Sequence, residues 1–154
     1  MRQEFHETLR VGAPPEAVWT TVGDVPSVLD WISIVSDVSE VEPDRRYRVV
    51  LADRLGPFKL HADLDVVVEE RLEGVRIRAR CDGEDRQVGS RLVVDVLLGL
   101  APTADGTELD VYGSYEVTGR PAALGAASIR KKAAKILDEF FLRAERAVSG
   151  PASP

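Results

Sequence analysis

Apolar and polar residues alternate through most of this chain, and then the period changes near its end. From Phe58 to Val68 the even positions Phe58, Leu60, Ala62, Leu64, Val66 and Val68 are apolar, while Lys59, His61, Asp63 and Asp65 lie between them. A period of two marks a strand with one buried face. Val75, Ile77, Ala79 and Cys81 repeat it against Arg76, Arg78, Arg80 and Asp82. The same reading predicts strands at Glu4–Val11, Val35–Glu42, Tyr47–Leu55, Phe58–Glu69, Val75–Asp82, Val88–Leu100 and Thr107–Thr118. Turn residues separate them: Pro43-Asp44, Gly56-Pro57, Gly74, Gly83 and Asp105-Gly106.

Two short helices are expected between the first and second strands. Ala13-Pro14-Pro15-Glu16 opens one, because the amide protons of a first helical turn have no intrahelical partners and proline lacks one. Asp24 and Pro26 open the other, Ser27 to Trp31. After Gly119-Arg120-Pro121 the spacing lengthens. Ile129, Ala133, Ile136, Leu137, Phe140, Ala144 and Ala147 recur at steps of three and four, predicting an amphipathic helix from Ala122 to Val148. The fold class is therefore α+β: a curved seven-stranded antiparallel sheet wrapped around one long C-terminal helix. A single domain over 1–148 and a disordered polar tail over 149–154 complete the organisation.

Pairing the two most regular strands across a turn at Glu69–Gly74, with Val68 opposite Val75, sets Asp65 against Arg78 and Asp63 against Arg80. Opposite charges facing across strands contribute about 0.2–1 kcal/mol per pair. The charged face is thus read as the solvated outside of the sheet. The inner face should line a cavity against the helix. Its residues are Leu64 and Val66, then Ile77, then Leu92, Val94 and Val96, then Leu109, Val111 and Tyr115. Ile129, Ala133, Ile136 and Phe140 would close it from the helix, and Trp31 with Ile32 would stand at its mouth.

Charge and composition narrow the function. The 154 residues carry a net charge of −6, which disfavours a nucleic-acid partner, since such binding depends on Lys and Arg neutralising phosphates. Arg130-Lys131-Lys132 with Lys135 is the densest basic run and is expected to be a solvated helix face. Cys81 stands alone, so no intrachain disulfide forms. No run approaches 18 apolar residues and Met1-Arg2-Gln3-Glu4 does not start a signal peptide, so stable membrane insertion is not expected and the cytoplasm is the expected compartment. His6 and His61 alternate with apolar neighbours and fall outside the cavity, and His61 and Cys81 lie on opposite faces, so neither a metal site nor a nucleophile–base pair is assembled. No cofactor is expected. Tyr115 and Glu7 are the polar groups read toward the cavity, too few for an evident acid–base mechanism.

Val11-Gly-Ala-Pro-Pro-Glu-Ala-Val-Trp19, followed by Asp24-Val-Pro26, resembles the opening of the START and pollen-allergen-like (SRPBCC) superfamily, whose helix-grip fold has this order of elements. Tyr47 to Leu60 with Leu55-Gly56-Pro57-Phe58 at its centre, Gly106-Thr107, and Gly119-Arg-Pro-Ala-Ala-Leu-Gly125 look like the carbon monoxide dehydrogenase G branch of that superfamily. That branch often has Pro-Gly-Ala before the second strand, where this chain has Trp31-Ile-Ser-Ile-Val35. The resemblance implies a carrier or sensor for a hydrophobic small molecule (lipid, quinone or polyketide-like) that needs no metal and could hand its ligand to a redox enzyme. The alternative it implies is a polyketide cyclase or dehydratase working in the same cavity, and a filled-core interaction module is a third class.

Overall fold

The computed structural model describes residues 1–55, 58–87, 89–119 and 125–149, with only the backbone described at Leu55 and Phe58. Among the described residues ten elements follow in order: β1 (Arg2–Val11), α1 (Pro15–Val22), α2 (Val25–Asp30), β2 (Val35–Glu42), β3 (Arg46–Leu55), β4 (Phe58–Leu72), β5 (Arg76–Asp85), β6 (Ser90–Thr103), β7 (Gly106–Gly119) and α3 (Ala126–Val148). All seven strands form one antiparallel sheet in the order β1-β7-β6-β5-β4-β3-β2. Six of them are a plain meander. β1 returns beside β7 because α1 and α2 carry the chain from one sheet edge to the other.

Two inward-facing glycines let the sheet curl. A Cβ at Gly113 would lie 2.2 Å from Phe5 Cζ, and one at Gly83 would lie 2.0 Å from the Asp63 carbonyl oxygen. Only hydrogen fits at these close approaches. The chain then bends around α3 instead of lying flat.

The β4–β5 hairpin differs from the sequence expectation. β4 runs on to Leu72, and the turn is Glu73-Gly74-Val75, with Gly74 in the left-handed region at φ 75°. Val75 is therefore exposed in the turn and not paired inside a strand. Asp65 faces Asp82 instead of Arg78, Asp63 faces Glu84 instead of Arg80, and a bulge falls between Val68 and Glu70. The displacement is even, so Leu64, Val66, Ile77, Ala79 and Cys81 stay on the inner face while the outer partners change. Arginines on neighbouring strands relieve the like charges. Arg48 reaches Asp65 at 3.3 Å, and Arg91 donates to both oxygens of Asp82 at 3.0 and 2.7 Å.

The helix predicted from Ala122 starts at Ala126 among the described residues, behind Gly125 at φ 137°; Ala122 to Leu124 lie outside them, as does Gly150 to Pro154 of the expected tail. Its C-terminal half is firmly packed: Val148 joins Val11, Val18, Val22, Leu109 and Val111 in one cluster. Each such side chain contributes roughly 1.5–3 kcal/mol when fully removed from water. Arg143 also donates to the Asp30 carbonyl at 3.2 Å, tying α3 to α2. A clamp secures the α1–α2 corner to the β4–β5 hairpin: Trp19 Nε1 donates to Glu73 at 2.8 Å, and Arg71 lies over the Trp19 ring while donating to the Gly23 carbonyl at 2.9 Å.

Candidate functional site

Beneath the N-terminal half of α3 the inner face is not filled. A cavity of about 330 Å³ lies between the sheet, α2 and the helix. This volume is within the range of small-molecule sites. A larger depression of about 560 Å³ on the outer face is bordered by Arg46, Asp65, Arg80, Asp82, Glu84 and Arg91. It is an open trough between charges, in which Arg91 pairs with Asp82 and Asp65 is held by Arg48 beside it, so the inner cavity is the candidate site.

Alternation in the strands and the stripe on the helix supply the walls. Leu64 and Val66 of β4, Ile77 of β5, Leu92, Val94 and Val96 of β6, and Val111 and Tyr115 of β7 border the cavity. Ile32 closes it from the end of α2, and Ile129, Ala133, Ile136 and Phe140 close it from α3. One row crosses the sheet through directly paired residues, Tyr115–Val94–Cys81–Val66–Tyr47.

Three residues read toward the cavity lie elsewhere. Leu109 is 1% exposed and belongs to the filled cluster under the C-terminal end of the helix. β7 is long enough to serve both regions, and Leu109 falls at the packed end. Trp31 packs against that same cluster and tilts onto the Phe140 ring with centroids 5.8 Å apart, so it braces the helix from outside the cavity wall. Glu7 shares the inward side of β1 but is exposed and does not border the cavity.

The sequence reading missed an ion pair. Asp53 and Lys132 both border the cavity, and Lys132 Nζ lies 3.0 Å from Asp53 Oδ2. The signal was present: Tyr47, Val49, Leu51 and Asp53 alternate inward along β3, so Asp53 ends an apolar face with a carboxylate. Lys132 was hidden by Arg130 and Lys131, which make it look like part of a solvated run. Among basic neighbours, only the helix's rotation against β3 distinguishes it.

The remaining polar groups have distinct environments. Burial pushes the Cys81 thiol up to about 12, with Asp95 adding to the effect, so this cavity thiol stays protonated and a poor nucleophile. Burial likewise raises the Tyr115 hydroxyl, an effect Arg130 partly offsets. On the outer face His6 stacks on Tyr112 with centroids 4.0 Å apart and meets Asp110, away from the cavity. His61 is also exposed. Among the described residues no three His, Cys, Asp or Glu side chains come close enough to hold a metal ion, and no helix is long and apolar enough to cross a membrane.

The family described as polyketide cyclase/dehydrase and lipid transport matches residues 2–148. The chain therefore belongs to that family, in agreement with the SRPBCC resemblance of its opening residues. Solved structures show the same fold at low identity. A conserved protein from Geobacillus kaustophilus is 19% identical with a TM-score of 0.78, over 97% of this chain and 95% of that one. TTHA0849 from Thermus thermophilus is 18% identical with a TM-score of 0.68, over 99% and 100%. Ara h 8.0201 is 15% identical with a TM-score of 0.59, over 97% of each chain. A search of curated protein sequences found no match.

Proposed function

We propose that this member of the polyketide cyclase/dehydrase and lipid transport family binds a hydrophobic small molecule in the cavity under α3, as a carrier or sensor. The observation that carries this reading is the void itself, which is walled by aliphatic side chains from the sheet, α2 and α3. Removing apolar surface from water there would drive binding at about 25 cal/mol per Å². A lipid, a quinone or a polyketide-like molecule fits such walls, and the reading extends over residues 1–148 as one binding unit. Likeness of Leu55-Gly56-Pro57-Phe58 and Gly106-Thr107 to the carbon monoxide dehydrogenase G branch supports a carrier that passes its ligand to a redox enzyme.

The test is native mass spectrometry of protein purified from its own host, followed by titration of the emptied protein with a fluorescent apolar probe. A co-purifying apolar molecule that the probe displaces supports the carrier. Absence of any apolar ligand binding overturns it. Binding should also be unchanged by chelators.

Asp53 and Lys132 favour a second reading, a cyclase or dehydratase, because they place a carboxylate and an ammonium at the cavity wall where proton transfer could be served. Turnover of a polyketide-like substrate, lost in Asp53→Asn while probe binding persists, would establish it over the carrier.

A further inference from the structure

Resting on the apolar-cavity reading, this inference concerns which apolar molecules the cavity prefers. Tyr115 stands on the inner face of β7, is 9% exposed and borders the void. Its hydroxyl makes no hydrogen bond to any described residue. Every fully buried polar side-chain atom among the described residues does have a partner, so the Tyr115 oxygen must reach accessible space. An accessible hydroxyl with no protein partner is free to donate to a ligand oxygen, and such a bond adds to binding.

The charged groups at the wall argue against an ionic ligand. Among the described residues two cations border the cavity: Lys132 holds Asp53, and Arg91, whose side chain turns to the outer face, holds Asp82 through two hydrogen bonds. An anionic head group would have to displace Asp53 from Lys132 or stay at the exposed Arg130 that acts on Tyr115 from outside the lining, and losing its hydration in an apolar site is costly. A cationic head group would meet the same closed pair. A neutral hydrogen-bonding group meets no such obstacle at Tyr115.

We propose that the cavity selects a neutral apolar molecule carrying an accepting oxygen, such as a ketone or quinone carbonyl, and that the Tyr115 hydroxyl donates to that oxygen. The row Tyr115–Val94–Cys81 sets the tyrosine beside small and aliphatic residues of the neighbouring strands, so the rest of the ligand would lie on aliphatic wall. A tyrosine hydroxyl is protonated at neutral pH, and burial of Tyr115 moves it further that way.

Three naphthalenes of similar shape test this by calorimetry: 2-acetylnaphthalene, 2-isopropenylnaphthalene and 2-naphthoate. The ketone should bind about 3- to 10-fold more tightly than the hydrocarbon, the range of one neutral hydrogen bond, and the carboxylate should bind most weakly. Tyr115→Phe should bring the ketone to the hydrocarbon's affinity and leave the hydrocarbon unchanged. Equal affinities that Tyr115→Phe does not alter, or tightest binding by the carboxylate, would overturn the inference and leave the cavity reading standing. Failure of all three to bind would overturn the cavity reading and this inference with it. If the variant does not fold, the carbonyl stretch of the ketone bound to wild type decides. A shift below its frequency in hexane supports donation from Tyr115, and a hexane-like frequency refutes it.

Discussion

The two halves of α3 cover the same sheet with the same kinds of residue, yet one half closes a packed core and the other roofs a void. Under the C-terminal half, Val148 meets Val18, Val22, Leu109 and Val111 in a filled cluster. Under the N-terminal half, Ile129, Ala133 and Ile136 stand off from Leu64, Ile77, Leu92 and Val94. Composition cannot account for the difference. α1 packs beneath the C-terminal half of the helix and supplies Val18 and Val22, whereas α2 lays Val25 and Leu29 against Leu64, Val66 and Ile77 beneath the other half and these residues still border the cavity. An aliphatic surface becomes a core or a binding wall according to how completely a third element fills it.

Truncations in the packed half should have the largest effect on this contrast. Leu109→Ala should cost about 2–5 kcal/mol in urea denaturation, because its neighbours are held on all sides and cannot collapse into the hole. Trp31→Ala should follow at about 2–3 kcal/mol, since the indole is only partly buried, and should change probe affinity less than it changes stability. A large loss of affinity with unchanged melting would return Trp31 to the mouth of the cavity.

Leu92→Ala, in the open half, should cost less than Leu109→Ala, about 1–2 kcal/mol, because its side chain already borders empty space. Equal losses at the two sites would mean that the cavity is not a void in solution. Ala133→Phe inverts the test: the ring should fill the void, lower probe affinity at least ~10-fold and shift stability by under ~1 kcal/mol. If the protein unfolds on this substitution, the space is not there.

The smallest effect belongs to the outer face. Hydrogen bonding by Arg91, helped by its charge and that of Arg80, holds the Asp82 carboxyl below its ordinary value of 3.8. A carboxyl lowered in the folded state stabilises at pH values above its unfolded value and loses that contribution as pH falls through the lower folded value. Asp82→Asn should therefore cost under ~1 kcal/mol at pH 7, as expected for a part-exposed pair. Its difference from wild type should shrink in denaturation curves measured below about pH 4.

Legibility differed between the fold and the site. Alternation in β4 and β5 put Leu64, Val66, Ile77 and Ala79 on the correct face even though the expected hairpin register was four residues out, because an even displacement leaves the faces unchanged. The outer charge pairs had no such protection. Asp65 and Asp82 each find an arginine on another strand, a choice the hairpin alone does not encode. The candidate cavity wall was readable for the same reason as the sheet: a residue's side follows from its local period.

By itself the sequence determined the order of elements, the meander with its inner and outer faces, and the stripe that α3 turns toward the sheet, since all of these follow from periods of two and 3.6 between turn residues. Tertiary structure decided where along that stripe packing stops. It set Leu109 and Trp31 with the core, brought Lys132 out of a basic run onto Asp53, and left the Tyr115 hydroxyl without a partner among the described residues. Each of these depends on the distance and rotation between elements far apart in the chain, which the curl of the sheet and the position of α1 fix and no local pattern records.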